Sequence, residues 1–317
     1  MDQRLFSDKF PEINSDEKLQ ELCKKFPEYD PAYICQGSVV LRRKFKDWIE
    51  GLWKDFRPFA DSQFPSAFKK DFMGRSWELY LGSTFLNRGY NLKRVGNKGP
   101  DLMVVKDDFY TYIEAISATS GTGPDKVPGL VHNAVGSVPS DEIQLRVANA
   151  LSVKNEVYKG YLAKNIIKTK DPFIIAINRS AIGHVGDAMI PLVMKCLFGI
   201  GDLTLQLRVG GERPKNPKSF WSGKPALQKK SGNTVPMLFF EDPANAGISA
   251  VMYSVDSILN SPMEPGEMGD NIHIIHNPHA RNPIPDNFFV FGEERRAKGG
   301  FVIITRKAVN FDRPPLF

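Results

Sequence analysis

Two long amphipathic segments bracket a run of short apolar stretches in the middle of the chain, and that order limits the fold more than any other feature. The first, "AFKKDFMGRSWELYLGSTFLNRG" (67–89), carries Trp77, Tyr80, Leu81, Thr84 and Phe85 on one helical face and is stopped by Gly89. The second, "SDEIQLRVANALSVKNEVYKGYLAKN" (140–165), opens on Ser-Asp-Glu, which suits the positive end of a helix. Between them stand "YNLKRVG", "DLMVV" and "FYTYIEAIS", the last two joined by a Lys-Asp-Asp turn. After them comes "DPFIIAINRS" (171–180), apolar enough to be a buried strand. The expected order is helix, three strands, helix, strand, which implies an α/β sheet covered by helices.

The flanks are less regular. The spacing predicts helices over "SDEKLQELCKKF" (15–26, with Ser15 as N-cap) and "SVVLRRKFKDWIEGLWKDF" (38–56). Beyond Ala181 an apolar helix precedes the strand-like runs "VPMLFFED", "ISAVMYS", "NIHIIHNP" and "GGFVIITR". "RVGG" at Arg208 and "GEERRAKGG" from Gly292 read as loops, the latter as a solvated charged turn. No linker interrupts the chain. One domain over 1–317 is expected, with a helical N-terminal elaboration (1–70), a core (71–180) and a C-terminal extension of the same domain (181–317). The Gly/Pro-rich stretch "ATSGTGPDKVPGLVHNAVGSVPS" (118–140) is too long to be an idle connection.

Composition removes several classes. A net charge of +6 over 317 residues is compatible with a phosphate-rich partner but does not require one. Cys23, Cys35 and Cys196 form no paired spacing, which argues against a disulfide scaffold and a cysteine zinc site and suits a reducing cytoplasm. The most apolar window, "MIPLVMKCLFGIG" from Met189, is too short to span a bilayer and contains Lys195; no signal segment opens the chain. No Gly-rich nucleotide loop stands between a strand and a helix, and no Ser or Cys elbow appears. In "HIIHNPHARNP" (273–283) the histidines recur every third residue. That odd offset puts His273 and His276 on opposite faces of a strand, so a turn or substrate-facing loop is expected rather than a zinc site.

The stretch "GPDLMVVKDDFYTYIEAIS" (99–117) sets two carboxylates where core strands avoid them: Asp101 at the entry of one strand, Glu114 inside the apolar run of the next. With the helix–strand order, this pattern resembles the PD-(D/E)XK nuclease superfamily. The resemblance covers roughly residues 74–179. It implies a restriction-endonuclease-like αβββαβ core, a mixed sheet flanked by helices, and hydrolysis of phosphodiester bonds, in DNA first. It also implies that Asp101 and Glu114, with the Ala115 carbonyl, ligate Mg2+ (or Mn2+), which suits hard oxygen donors.

The family's lysine position, two residues after the glutamate, holds Ile116. Some branches of the superfamily move the lysine to the following helix. There Ile143, Val147, Ala150, Leu151, Val157, Tyr158, Tyr161 and Leu162 form one apolar face, Lys154 falls near its middle, and Lys159 and Lys164 fall outside it. A lysine aimed at a core or cleft needs a partner, and the carboxylate pair would be one. By the same resemblance Glu78 and Gln144 would be auxiliary catalytic residues, with Arg146 near enough to meet a phosphate. The partner implied is double-stranded DNA, with a homodimer allowed and no membrane.

Each residue also has an ordinary reading. Asp101 could be a strand-entry residue, Glu114 could pair with Arg75 or Arg94, and Lys154 could snorkel to the rim of its face. The displaced lysine makes a catalytically inactive nuclease-fold module, binding nucleic acid or a protein, the main alternative. An α/β scaffold with a small-molecule pocket is the third.

Overall fold

The protein is described by a computed structural model covering residues 4–6, 10–96, 98–130, 136–184, 187, 189–206, 218–298 and 301–307. The "RVGG" stretch lies outside them.

The N-terminal part is helical. In α1 (Asp16–Lys25) the Ser15 side chain accepts from the Lys18 amide, Asp16 and Glu17 sit in the first turn, and Lys24 and Lys25 close the last. Asp30 caps α2 (Pro31–Ser38), whose first residue is a proline. The helix expected over 38–56 begins later, as α3 (Arg43–Phe56), after a short 3-10 turn at Val40–Arg42. Val39 is extended there and bridges Ile13. Two β-branched residues in succession are poor helix starters, and Ser38 ends α2 instead of opening α3.

The single helix expected over 67–89 is two: α4 (Phe64–Lys70) and α5 (Phe72–Asn87). Asp71 leaves the helical region (φ −136°, ψ 73°), and its side chain accepts from the Gly74 amide at 3.0 Å, making it an N-cap. The break frees α5 to lie between α3 and the sheet. It is buried almost all round, and a Cβ at Gly82 would meet the Phe56 ring at 2.3 Å.

Most of the remaining strands build one eight-stranded mixed sheet. Strands β1 (Asn91–Lys93), β2 (Leu102–Lys106) and β3 (Phe109–Ser117) run antiparallel, with Asp107 at positive φ in the turn between the last two. Helix α6 (Ser140–Ala163) then crosses over to β4 (Phe173–Asn178), parallel to β3 and buried at every position. The observed order from 72 to 178 is helix, three strands, helix, strand. After α7 (Leu192–Phe198) come two small hairpins, β5 (Ile200–Gln206) with β6 (Lys218–Gly223), and β7 (Ala226–Gln228) with β8 (Thr234–Pro236). The chain returns to the large sheet with β9 (Ile248–Ser254), parallel to β4, then β10 (His273–His276), β11 (Glu293–Lys298) and β12 (Phe301–Arg306).

Two expectations for the C-terminal part do not hold. "VPMLFFED" is not one strand: β8 ends at Pro236, and the following residues turn beneath α7. Met237 and Phe240 are both fully buried, and an offset of three cannot serve one face of a strand. "GEERRAKGG" is not a solvated turn, because most of it is β11. Glu293 and Glu294, on opposite faces, are buried against His273 and His276 of β10 and against Arg295 and Arg296. Cross-strand hydrogen bonds and the arginines of the same strand accommodate what the local sequence shows as a charge run.

Two hydrophobic clusters cover the two sheet faces. Helices α1 to α5 pack on the face carrying Leu102, Val104, Ile113, Ile174 and Met252. Helices α6 and α7 pack on the other, carrying Phe173, Ile175, Ile177, Val251 and Tyr253. The protein is thus a mixed α/β fold, a large mixed sheet flanked by helices. Among the described residues no helix is long and apolar enough to cross a membrane.

Candidate functional site

The β2–β3 ladder runs from Lys106↔Phe109 to Leu102↔Ile113 and stops there. Asp101, the next residue outward, replaces it: its Oδ2 accepts the Ala115 N–H at 2.7 Å. In a strand the N–H and C=O of one residue point to the same edge, so the Ala115 carbonyl also faces the edge that carries Asp101. Ile113 and Ala115 pack towards α5, so Glu114 between them faces α6.

On that face Glu114 is 5% exposed and fully engaged. Lys154 Nζ donates to its Oε1 at 2.8 Å. The Tyr161 hydroxyl lies 3.1 Å from its Oε2 and 3.0 Å from the Gly99 carbonyl, so it ties the segment before Asp101 to the glutamate. Lys154 and Tyr161 are seven residues apart, two turns of one helix face. Sequence reasoning counted Tyr161 only as an apolar-face residue. Its spacing from Lys154 was the available signal for a second role.

The second lobe of the cluster comes from α5. Glu78 is buried, and its Oε2 accepts from Arg75 Nη1 at 2.7 Å. Arg75 also donates to Asp61, at 3.2 Å, and stacks over the Phe64 ring. Arg75 is therefore the partner of Glu78 and Asp61 rather than of Glu114. Neither Arg75 nor Asp61 was named as a site residue from the sequence.

Electrostatics join the two lobes. Burial raises Glu78 well above the usual carboxylate range, Asp101 raises it further, and Arg75 opposes both. Asp101 is also raised by burial, against the pull of Lys154, the Ala115 amide and Arg75. Burial, then repulsion from Asp101, pushes Glu114 up to about 7, with Lys154 and Tyr161 acting the other way. Glu78, Asp101 and Glu114 are thus all pushed towards their neutral forms in a largely desolvated place, with Arg75 and Lys154 as the opposing cations.

Gln144 is not brought to this cluster. It is buried in the first turn of α6, about 15 Å along the helix from Lys154. Its Nε2 donates to Ser140, and its Oε1 has no partner among the described residues. Arg146 holds the start of the segment after β3 instead of standing free: its Nε donates to the Thr119 carbonyl at 2.9 Å. Its guanidinium lies where a Cβ on Gly121, at φ +75°, would fall. Ile116, at the lysine position of the resemblance, is half-buried. His273 and His276 bond to Glu293 and Glu294 on opposite faces of the sheet. Among the described residues no group of three or more His, Cys, Asp or Glu is arranged to hold a metal.

No protein-family model, curated protein or solved structure matches this chain.

Proposed function

We propose that the protein is a divalent-metal-dependent nuclease with a restriction-endonuclease-like core, hydrolysing phosphodiester bonds in double-stranded DNA. The observation that carries this reading is the meeting of Asp101, Glu114 and Lys154. Two carboxyls from neighbouring strands interact with one another and with a lysine delivered by the following helix, its Nζ 2.8 Å from Glu114. The order helix, three strands, helix, strand, with β3 and β4 parallel, supports the same reading.

The residues fit Mg2+ or Mn2+ by chemistry and by charge. Asp101, Glu114 and the Ala115 carbonyl are hard oxygen donors around the end of the β2–β3 ladder, and a divalent cation would favour the charged forms of carboxyls that otherwise repel one another. Two protein carboxylates suffice for magnesium, which keeps several waters and shares substrate phosphate oxygens. A bound divalent ion would lower the pKa of an attacking water and neutralise charge on the scissile phosphate.

The chain's own groups do the rest. Asp101 holds its carboxylate against the Ala115 amide and so stays aimed at the edge where phosphate would arrive. Lys154 keeps a cation beside the reacting atoms, where it favours hydroxide over water and stabilises the extra charge of the five-coordinate phosphorus. Tyr161 orients Glu114, and Glu78, held by Arg75, stands close enough to Asp101 to feel its charge. Gln144, remote from these groups, has no part in the step.

A positioned cation of this kind contributes several kcal/mol in the transition state, on the order of a hundredfold or more in rate. Lys154→Ala should therefore lose nearly all magnesium-dependent cleavage of plasmid and linear DNA while still binding DNA in a salt-dependent way. Lys159→Ala, whose lysine pairs with Glu156 on the exposed side of the same helix, is the matched control and should cleave normally. If the wild type cleaves no nucleic acid with either metal, the chain is a binding module instead. If Lys154→Ala cleaves as fast as wild type, the assigned site is wrong.

A further inference from the structure

The two edges of the large sheet are finished differently. Strand β1, at one edge, is three residues long, and its exposed positions are Asn91 and Lys93. A short, polar, lysine-bearing strand is one way a sheet edge is kept from pairing with another chain. Strand β12, at the other edge, is twice as long. Its sequence, FVIITR, is β-branched from Val302 to Thr305 and carries no charge before Arg306. Ile303 is 38% and Ile304 39% exposed, one on each face of the sheet.

Among the described residues β12 pairs only with β11. In an antiparallel ladder half of a strand's N–H and C=O groups point away from its neighbour, so a row of them faces outward from β12. The residues that follow in the sequence are poor candidates to take them: 308–317 includes Asp312 and Pro314-Pro315, and proline has no N–H to give. A long apolar edge of this kind calls for another strand.

Charge favours a copy of the same chain over an acidic partner. Arg295, Arg296 and Arg306 are already paired with Glu293 and Glu294 of β11, so the edge can meet its like without strong repulsion. A two-fold axis perpendicular to the sheet sets two β12 strands antiparallel and keeps each face on its own side. With the axis at Ile303, that residue meets its own counterpart and Val302 meets the counterpart of Ile304. Neither Arg306 nor Lys307 then falls opposite a basic residue. Such pairing is isologous and closes at two copies, leaving only the short β1 edges. We propose that β12 is a dimerisation edge, on which a second copy of this chain continues the eight-stranded sheet by antiparallel pairing. In the sheet order β12 lies five strand spacings, about 24 Å, from β3, so the interface is separate from the carboxylate cluster and independent of the nuclease reading.

Sedimentation equilibrium on the full chain at about 100 µM should give twice the chain mass, falling towards one chain on dilution. Ile303→Lys combined with Ile304→Lys puts a charge on each face of the edge and should weaken association at least about tenfold. Leu41→Lys, at an 89% exposed leucine of the N-terminal part, is the control and should associate as wild type does. Amide exchange at 302–305 should be at least about fivefold slower in concentrated than in dilute wild type. That measurement reads the same edge without a substitution if the double variant does not fold. A wild type that stays monomeric at about 100 µM, a dimer of full strength in the double variant, or exchange at 302–305 that ignores concentration would each overturn the proposal.

Discussion

Replacing Glu114 by glutamine should remove a specific pH dependence of stability, and its size follows from the site. The Glu114 carboxyl stands at about 7 in the folded protein against 4.5 for an ordinary glutamate, first because it is buried and then because Asp101 repels its charge. The folded state therefore binds this proton more tightly than the unfolded chain. The stabilisation is complete below about pH 4.5 and is lost as pH rises through about 7. Integrated from about pH 5 to about pH 8, the loss from this one group is about 2.5 kcal/mol. Glutamine keeps the shape and an acceptor for Lys154 but has no proton to lose. Urea unfolding at about pH 5 and about pH 8 should thus show wild type losing about 2.5 kcal/mol more than Glu114→Gln over that interval. Manganese at about a hundred times its dissociation constant should restore about 2.7 kcal/mol to wild type at the higher pH, and nothing to the variant. An equal loss in both proteins would show that Glu114 is not the titrating group and would remove the charge argument for the site.

The central sheet was legible because its signals are local. The Lys-Asp-Asp turn and the apolar strands on either side locate β2 and β3, and the unbroken run in "FIIAIN" marks a strand covered on both faces. Helix ends were harder to place. Apolar spacing runs straight through Asp71, so nothing in the periodicity shows that its carboxylate caps the Gly74 amide and splits the segment. The strand β11 was hidden for a different reason. Glu-Glu-Arg-Arg reads as solvated unless one knows that His273 and His276 lie on the neighbouring strand, and that is a long-range fact. The long-range reach of Lys154 to Glu114 was legible because a charge in the middle of an apolar helical face must find a partner. Tyr161 was not, because its ring satisfied the same apolar pattern while its hydroxyl did the bonding. Arg75 illustrates the cost of ignoring local spacing: three residues before Glu78 on one helix, it was already placed to pair with it.

Tyr161→Phe removes a hydroxyl placed against both Glu114 and the Gly99 carbonyl, and urea unfolding should show a loss of about 1 kcal/mol. With that donor gone the Glu114 carboxylate is less well stabilised, so the pH at which wild-type stability declines should move upwards. Arg179→Met tests a buried ion pair remote from the carboxylates. Arg179 is 1% exposed; it donates to Asp187 at 2.7 Å, to the Tyr253 hydroxyl at 2.8 Å and to the His184 carbonyl at 3.0 Å. Methionine fills the space but leaves the Asp187 carboxylate, whose other oxygen accepts from the first amide of α7, charged and without its cation. The expected loss is about 3–5 kcal/mol, most of it from the stranded charge rather than from the missing bonds. Asp187→Asn added to Arg179→Met keeps the cap on α7 and removes that charge, so the double variant should be more stable than Arg179→Met alone. If chemical denaturation finds it equally unstable or worse, the penalty lies in lost packing and hydrogen bonds, and the ion-pair account of this corner of the sheet fails.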